Sequence, residues 1–426
     1  MRPLSLLLLA ALVLAAAACR NPPPETGVQT IRVWSHQGQE AENRALREIA
    51  AAFNTAHEGR GIRVSLTFFP DAQYTEKIAT AAAAGDLPDA FDLDGPLVAR
   101  FVAAGLLAPL DAWFDRIELE DFLPTVREQG TISGHLYALG AFESAAVLYY
   151  DREMLAAAGV IPPPPGPGWT WEQFLAACAK LRAAGLQPVA LHMNESADEW
   201  FTYAFSPVIW SGQGRLISPD GTQARGVLAT DDNIASLRAW QTLFEKGYAS
   251  TDPIDPDPFG SGKTAMDWSG HWMARSHLAN KDDRLGVTPL PRLGPHAVAP
   301  CGSWCWGLSA HASDPERAAL WVKWVTDVRH GIEPIVRANG AIPARRSAFA
   351  LFPEYNRPPY QLFRRQLEEF ARPRPRTPYY AALTSRFAAA LRDIAHGADV
   401  GPRLRSAENE IQAVIDRREP TAHVAE

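Results

Sequence analysis

The sequence has little cysteine, no surplus of positive charge and only one long hydrophobic run. Four cysteines in 426 residues are too few for a small disulfide-framed chain. Lys and Arg number 41 against 48 Asp and Glu, so the formal net charge is −7 and no basic surplus remains to bind a phosphate backbone. Hydrophobic residues make up 47% and charged residues 21%, which excludes a disordered or collagenous chain. The composition predicts a globular protein with no nucleic-acid partner.

Signatures of the common enzyme classes are absent as well. The sequence has no Gly-x-Ser-x-Gly, no His-Glu-x-x-His, no Walker loop and no dinucleotide fingerprint. Isolated acids such as Asp94, Glu143 and Asp267 could form the carboxylate pair of a glycoside hydrolase, but spacing alone does not show that two of them face one bond. We therefore predict no catalytic residue, no cofactor and no metal site, and keep a lipid-anchored glycoside hydrolase as a less favoured alternative.

The one long apolar run stands at the N-terminus. Residues 4–18 contain a single polar side chain, as in a secretory signal peptide. Residues 14–19 resemble a bacterial lipobox, which predicts a signal peptide at 1–18, lipid on Cys19 and a tether over 19–29. A plain signal peptide with a chance cysteine is the alternative. No other stretch approaches the roughly 18 apolar residues that cross a bilayer, so we expect the protein in the cell envelope, on the extracytoplasmic face of the membrane.

Strand and helix patterns alternate from residue 30 onward. Residues 30–34, 62–69 and 88–94 predict strands, and the apolar spacing of residues 42–54 and 74–84 is typical of amphipathic helices. This alternation predicts an α/β fold with a mostly parallel, helix-covered sheet. Such sheets bind ligands beyond the carboxyl ends of their strands, which carry Gln, Asp and Glu here rather than phosphate-cradling glycines.

The rest of the chain adds strands and then mainly helices. Residues 136–139 and 145–150 predict a pair of strands. Apolar periodicity predicts further helices at 152–158, 170–183, 315–327, 360–369, 381–395 and 405–417. In residues 372–376 arginine alternates with proline, which predicts an extended surface loop.

Three further cysteines lie within the predicted globular part. Cys178 stands on an apolar helical face, so we expect a buried thiol. Cys301 and Cys305 are four residues apart and could form a small disulfide or remain free thiols. No second pair of Cys or His follows at a spacing that suits a metal ion.

Several short motifs occur in a recognisable order. They are Val33-Trp34, Gly85-Asp86-Leu87-Pro88-Asp89, Phe101-Val102-Ala103-Ala104-Gly105-Leu106, Tyr137-Ala138-Leu139, Thr170-Trp171-Glu172-Gln173-Phe174, Gly262-Lys263-Thr264-Ala265-Met266, Gly270-His271-Trp272, Ser313-Asp314-Pro315-Glu316 and Gly340-Ala341-Ile342-Pro343. In this order they resemble the extracellular solute-binding proteins of carbohydrate ABC importers, the family 1 proteins that include maltose-binding protein. The resemblance covers roughly residues 30–415.

The resemblance implies a two-lobe periplasmic-binding-protein fold with a ligand cleft between the lobes. Each lobe would be a mostly parallel sheet covered by helices. The N-terminal lobe would comprise residues 30–142 plus about 300–350, and the C-terminal lobe residues 143–299 plus about 351–426. The implied function is a monomeric, non-enzymatic receptor that captures a mono- or small oligosaccharide by lobe closure and delivers it to the ABC permease. A receptor of the same fold for a polyamine or peptide is the alternative.

The abundant tryptophan suits a sugar ligand. Thirteen tryptophans supply rings that stack on the apolar faces of sugars, while polar side chains bind the hydroxyls. The resemblance implies that Trp272 stacks on the sugar and that Glu143 binds hydroxyls. Asp92 and Asp94 fall where maltose-binding members carry Trp and Asp, and the Asp at 92 favours a smaller or more polar sugar.

The remaining candidates come from strand ends and from tryptophans beside polar residues. Trp304 and Trp306 alternate on a strand, so we expect Trp304 to face the cleft and Trp306 to face the core. Trp321 and Trp324 are expected in the core. Trp200 is a possible cleft wall. The other predicted ligand-binding residues are His36, Gln37, Gln39, Glu40, Trp210, Asp267, Trp268, Gly302, Ser303 and Arg345.

Overall fold

The computed structural model describes residues 27–164 and 166–417. The predicted signal peptide, the lipidation site Cys19 and most of the tether lie outside the described residues. Within the described part of the chain, no helix combines the length and the apolar character needed to cross a membrane.

The structure alternates strands and helices along most of its length. The strands are β1 (Gln29–Gln37), β2 (Ile62–Pro70), β3 (Ala90–Asp94), β4 (Leu107–Ala108), β5 (Thr131–Ile132), β6 (His135–Leu136), β7 (Ala138–Leu139), β8 (Phe142–Glu143), β9 (Ala146–Asp151), β10 (Gln187–Ala190), β11 (Thr264–Gly270), β12 (Leu285–Thr288), β13 (Ala299–Cys301), β14 (Trp304–Ser309), β15 (Ile342–Pro343) and β16 (Ala371–Pro373). The helices are α1 (Glu40–His57), α2 (Asp71–Ala84), α3 (Val98–Ala103), α4 (Arg116–Asp121), α5 (Pro124–Gly130), α6 (Arg152–Ala157), α7 (Trp171–Ala183), α8 (Asp198–Ser211), α9 (Asp231–Glu245), α10 (Ala274–Lys281), α11 (Pro315–Val325), α12 (Glu333–Asn339), α13 (Gln361–Glu369), α14 (Tyr380–Ala395) and α15 (Val400–Asp416).

The first lobe is built on the sheet β2-β1-β3-β14-β4, with β7 also paired to β14. The pairs β1–β2 and β1–β3 are parallel, and the late strand β14 runs antiparallel to β3. Helix α1 buries Leu46, Ile49 and Phe53 in the core of this lobe, as its apolar stripe predicts. The predicted strands and helices of residues 30–94 are confirmed, with ends shifted by a few residues.

The second lobe is built on the sheet β10-β11-β9-β12. Here only β10 and β11 are parallel, because β9 runs antiparallel to both of its neighbours. This sheet is therefore mixed rather than mostly parallel. Its core is rich in aromatic side chains, with Phe205, Trp240 and Trp268 all buried.

The predicted pairing of residues 136–139 with 145–150 is wrong. Strand β7 pairs with β14 in the first lobe, and β9 belongs to the sheet of the second lobe. The chain leaves one lobe for the other between these strands, at β8. There Phe142 and Glu143 pair antiparallel with Pro343 and Ile342.

Two more crossings join the lobes. Strand β13 pairs in parallel with β16, and Ala145 forms a bridge with Cys301. The expectation that residues 372–376 form a surface loop is therefore wrong: β16 includes Pro373, and Arg374 just beyond it is only 6% exposed. Together the two sheets and these crossings confirm a two-lobe α/β fold.

The cysteines and most of the core tryptophans are buried. Cys178, Cys301 and Cys305 are free buried thiols. The disulfide alternative is not realised, because Cys305 packs in a different hydrophobic cluster from Cys301 and its Sγ accepts a hydrogen bond from Gln129 Nε2 at 2.7 Å. The core assignments are confirmed for Trp306 and Trp321, and Trp324 packs half-buried against the same core.

Candidate ligand cleft

A cleft of about 630 Å³ opens where the carboxyl ends of β1 and β3 face the start of α8. Both lobes and the crossings line it, with Gln39, Glu42, Thr75, Asp94, Leu97, Phe142, Ser144, Glu195, Ala197, Glu199, Trp200, Tyr203, His271, Trp272, Gly302, Ser303, Trp304, Asn339, Ala341, Arg374, Tyr380 and Ala381. A surface groove of about 670 Å³ elsewhere is lined by several prolines and no tryptophan. We place the site in the cleft because aromatic rings and charged groups converge there.

Trp272 lies in the cleft wall of the second lobe. It belongs to a short 3-10 turn that follows β11, and it is 39% exposed. Its ring covers Gly270 so closely that a Cβ there would lie 2.1 Å from the indole. The rings of Trp200 and Tyr203 lie 6.3 and 5.8 Å from it, centroid to centroid. The indole is thus held by neighbours and leaves part of its surface to the cleft.

Trp304 supplies an aromatic surface on the opposite wall. Its indole stacks on the His36 imidazole, with centroids 3.5 Å apart and planes within 6°. His36 Nδ1 in turn lies 2.7 Å from Asp92 Oδ2. His36 does not line the cleft and supports Trp304 from behind.

Asp92 is buried beneath the cleft, contrary to its prediction as a ligand-binding residue. It is 1% exposed, and its carboxylate accepts hydrogen bonds from Ser35 Oγ at 2.8 Å and from the backbone N–H of His36 at 2.9 Å. These bonds satisfy polar groups at the end of β1. Asp94 is two residues further along β3 and shares that face, but it is the last residue of the strand and reaches the cleft.

Arg374 lies at the centre of the cleft and joins the two lobes. Its guanidinium binds Asp94 through two contacts of 2.6 and 2.9 Å, and it also pairs with Glu199 on α8. Tyr380 donates to the same Glu199 carboxylate at 2.7 Å. Burial disfavours the charged guanidinium, but the two carboxylates outweigh it and raise the pKa of Arg374 well above its ordinary value. The ion pairs therefore link the first lobe to the second through a crossing segment.

Glu143 lies at the crossing just behind the cleft. Its side chain is fully buried; Oε2 accepts a hydrogen bond from the Gly302 N–H at 2.8 Å, and Oε1 has no hydrogen-bond partner among the described residues. Burial raises the pKa of Glu143 to about 8 against the opposing effects of Gly302 and Arg374. At neutral pH this side chain is a neutral acid that does not line the cleft, although its neighbours Phe142 and Ser144 do.

Gly302 must be glycine for this arrangement to form. Its φ of +122° is in the region that favours glycine. A Cβ there would also lie 2.4 Å from Gln129 Oε1 and 3.1 Å from Arg374 Nη2. The backbone can therefore approach the cleft between these two side chains, and it places Ser303 and Trp304 in the wall.

The raised pKa of Glu143 predicts a pH-dependent stability. Below the ordinary value of 4.5 both the folded and the unfolded chain hold the proton, and between 4.5 and about 8 only the folded chain does. The free energy of unfolding should therefore fall with rising pH in this window, by at most about 1.4 kcal/mol per pH unit from this group. Glu143→Gln should remove that fall, because glutamine stays neutral while keeping an acceptor for Gly302.

Urea unfolding of both proteins at pH 5, 6, 7 and 8 measures this difference. The variant should gain stability relative to the wild type as the pH rises. If the free energies of unfolding of the two proteins changed in parallel from pH 5 to pH 8, this would contradict the buried, protonated state of Glu143.

Four further predicted residues are buried elsewhere in the fold and do not line the cleft. Trp268 is fully buried, and its Nε1 donates to the Ala204 carbonyl at 3.0 Å. Trp210 is 5% exposed and borders a different groove, and the Arg345 guanidinium lies 4.1 Å above the Phe122 ring. These side chains pack against apolar neighbours in the fold. Their sequence positions alone do not show this packing.

The fourth, Asp267, lies in the interior of the second lobe. His192 Nε2 and His277 Nε2 are 2.6 and 2.8 Å from its two carboxylate oxygens. Burial alone would raise the pKa of Asp267, but these hydrogen bonds outweigh it and lower the pKa. With Asp267 and Glu143 both buried, Asp94 is the only one of the three candidate hydrolase acids that lines the cleft.

The cleft contains some predicted residues and others that sequence reasoning missed. Gln39, Asp94, Trp200, Trp272, Gly302, Ser303 and Trp304 line it, whereas Gln37 and Glu40 are exposed outside its lining. The missed residues include Glu42, Glu195, Glu199, Tyr203, His271, Asn339 and Arg374. The acidic start of the predicted first helix was a signal for Glu42, but no local pattern points to Arg374.

Two of the missed residues have shifted pKa values. Glu42 is 7% exposed, and its Oε1 has no hydrogen-bond partner among the described residues. Burial raises the pKa of Glu42, while His36 and Asn339 oppose the shift. Burial also lowers the pKa of His271 to about 3, so its imidazole is neutral at physiological pH.

Relatives with similar sequences cover only part of the chain. A putative binding protein of Brucella abortus is 24% identical over 200 residues, which are 47% of this chain and 46% of that protein. The melibiose/raffinose/stachyose-binding protein of Bacillus subtilis is 31% identical over 160 residues, 38% of this chain and 35% of the relative. The chain thus spans about half or less of the length of these curated relatives.

Structural similarity extends over nearly the whole chain. The cyclic alpha-maltosyl-1,6-maltose binding protein from Arthrobacter globiformis superimposes with a TM-score of 0.78 at 21% identity, covering 92% of this chain and 100% of that one. At this identity the match establishes a shared fold. The sequence model of the family described as bacterial extracellular solute-binding protein matches residues 37–329. Because that match covers well over half of the chain and agrees with the two-lobe fold around a central cleft, this chain belongs to the bacterial extracellular solute-binding proteins.

Proposed function

We propose that this chain is the sugar receptor of an ABC importer, which captures a mono- or small oligosaccharide by closing its lobes and delivers it to the permease. The observation that carries the proposal is that Trp272 and Trp304 line one cleft from opposite lobes. Sugars present apolar C–H faces to such rings, and ligands of this kind are bound in concave sites with a few placed polar groups. Sugar-binding relatives and structural neighbours support the same ligand class.

The charges in the cleft favour a neutral sugar over a sugar acid. Among the described residues that line it, Arg374 is the one basic side chain with a full positive charge, and Asp94 and Glu199 already neutralise it. Glu42 offers an oxygen without a hydrogen-bond partner among the described residues, 3.9 Å from His36 Nε2, and the exposed Glu195 adds a carboxylate. Both groups can accept hydrogen bonds from sugar hydroxyls.

The same carboxylates are the reason to test a cationic ligand as the second candidate. A polyamine could pair with Glu42 and Glu195 and place an ammonium over an aromatic ring. The two tryptophans on facing walls favour the sugar, since flat rings contribute most when they cover a flat apolar face. The two candidates differ in their response to salt, because binding of a polyamine weakens as ionic strength rises.

A thermal-shift screen tests the proposal. The mature protein is melted with a panel of mono- and disaccharides, with spermidine and with a short peptide mixture. A ligand that binds only the folded state raises the melting temperature in a saturable way. A shift with a sugar supports the proposal, and small-angle scattering should then show a smaller radius in the bound state. The proposal would be overturned if spermidine alone raised the melting temperature, or if no sugar in the panel raised it.

The predicted lobe division remains part of the proposal. The sheets support the first lobe at residues 30–142 plus about 300–350 and the second at 143–299 plus about 351–426, since the first sheet lies within 29–139 and 304–309 and the second within 146–288. Helices α14 and α15 pack in the core of the second lobe. On α13 the Phe363 ring contacts Tyr149 and His271, and Gln366 Nε2 donates to the Ala146 carbonyl at 3.0 Å, which supports placing this helix with the second lobe.

The sequence also supports a lipid anchor and extracytoplasmic localisation. Cleavage after residue 18 would leave Cys19 as the lipidated N-terminus of a monomeric receptor, tethered beside its permease. Cys19→Ala should release the protein from the membrane into the soluble fraction, with sugar binding unchanged. Detergent partitioning of both forms measures this, and an alanine variant that stays in the membrane fraction would contradict the anchor.

A further inference from the structure

A second groove, of about 490 Å³, lies on the other side of the crossing segment that carries Arg374. Glu128 and residues 131–133 contribute to its wall from the first lobe, and Trp210 and residues 215–220 from the second. The crossing residues 372–376 complete it, and Arg374 lines both this groove and the ligand cleft. We call it the rear groove.

Three arginines of the crossing segment reach the rear groove, and two of them have acidic partners. Arg374 is neutralised by Asp94 and Glu199. Arg376 donates to the backbone carbonyls of Glu128 and Thr131 at 2.8 Å, and it lies 3.4 Å from the Glu128 carboxylate.

Arg372 has no such partner. It makes no ion pair with any described residue, and its guanidinium lies 4.9 Å from the centre of the buried Trp210 ring. Burial and then the nearby positive charge of Arg215 lower the pKa of Arg372, and the Glu128 carboxylate opposes them. The indole holds the guanidinium over its face and thereby reduces the entropy that a bound group would have to overcome.

Arg215 faces the same groove and likewise makes no ion pair with a described residue. The acids that border the rear groove are already engaged: Glu128 by Arg376, and Asp220 by the hydroxyl of Ser218 and the N–H of Thr222. Arg215 and Arg372 therefore share one concave site without a direct ion-pair partner among the described residues, and their like charges repel. Glu128 offsets only part of this repulsion at Arg372, and an oxyanion between the two guanidinium groups would offset more of it.

We propose that Arg215 and Arg372 form a binding site for a small oxyanion of the phosphate or carboxylate class in the rear groove. Guanidinium forks match the geometry of such anions and bind them through charge-assisted hydrogen bonds. The site is separate from the ligand cleft, so it does not depend on the proposed sugar function.

Calorimetric titration of the sugar-free protein with inorganic phosphate tests the site, at constant ionic strength and with acetate as a second arm. We expect saturable phosphate binding that Arg372→Gln and Arg215→Gln each weaken at least tenfold. Acetate binding through the same residues would identify a carboxylate site. Arg238→Gln is the matched control, because it removes one positive charge from a distant surface pair with Asp399 and should leave the affinity unchanged.

The melting temperature of each variant is measured first, and the exposed Arg215 provides a variant with little risk of misfolding. Failure of both anions to bind more tightly than chloride would overturn the proposal. So would an equal loss of affinity in all three variants, since that pattern reports net charge rather than a site.

Discussion

Replacing Trp272 by alanine should weaken sugar binding about thirtyfold or more, a loss of about 2 kcal/mol that is typical of an aromatic hot spot. The substitution removes the ring that would stack on the sugar and leaves a gap in the cleft wall. The melting temperature of the free protein should change little, because the side chain is 39% exposed and contributes little to the core. Calorimetry with the sugar found in the screen and thermal unfolding without it measure the two effects.

Trp268 provides the matched control, four residues earlier in the same segment. Its side chain is fully buried and its Nε1 is hydrogen-bonded to the Ala204 carbonyl. Trp268→Ala should lower the free energy of unfolding by about 3–5 kcal/mol, with sugar affinity affected only through that instability. Trp268→Phe serves if the alanine variant does not fold. A stable Trp272→Ala protein with full affinity would contradict the assignment of Trp272 to the site.

Replacing Arg374 by methionine should destabilise the free protein by about 3 kcal/mol, because two carboxylates then lose the charge that compensates them. The Arg374 side chain is 5% exposed, while Asp94 and Glu199 keep 21% and 32% of their side-chain surface exposed, so solvent relieves part of the cost. Since these partners belong to different lobes, the loss should also weaken the connection between the lobes. Urea unfolding at low ionic strength measures the change in stability.

Two further variants separate the loss of charge from the loss of packing. Adding Asp94→Asn and Glu199→Gln to the Arg374→Met protein removes the unpaired charges and should restore part of the stability. Arg116→Met is the control for an exposed ion pair: Arg116 is 89% exposed beside Glu120 and should change stability by less than about 1 kcal/mol. Equal effects of Arg374→Met and Arg116→Met would contradict a structural role for the central ion pairs.

The regular elements of the fold were largely predictable from local patterns. Leu46, Ile49 and Phe53 recur at helical spacing and do pack on the first sheet. Asp399 ahead of α15 was not recognised as its cap, so that helix begins earlier than predicted; its carboxylate accepts a hydrogen bond from the Gly401 N–H. Local hydrophobic periodicity thus locates an element better than it locates its ends.

Strand pairing was less predictable, because it depends on where the chain changes lobes. The segments at 136–139 and 145–150 are close in sequence, yet they belong to different sheets. The first pairs with Trp306 and Gly307 of β14, and the second pairs with β11 and β12. Their partners lie more than a hundred residues further along the chain. No pattern within either segment encodes that choice.

The sequence by itself determined the strand and helix order, the two-lobe family resemblance and the placement of Trp272 and Trp304 beside a cleft. Only the tertiary structure decided which polar groups face that cleft. Asp92 turns inward to hydrogen-bond Ser35 and His36, whereas Asp94 meets Arg374 from a segment predicted to be a surface loop. The physical reason is that a buried carboxylate takes the conformation that brings it to hydrogen-bond donors or to a counter-charge, and here these partners come from sequence positions far apart.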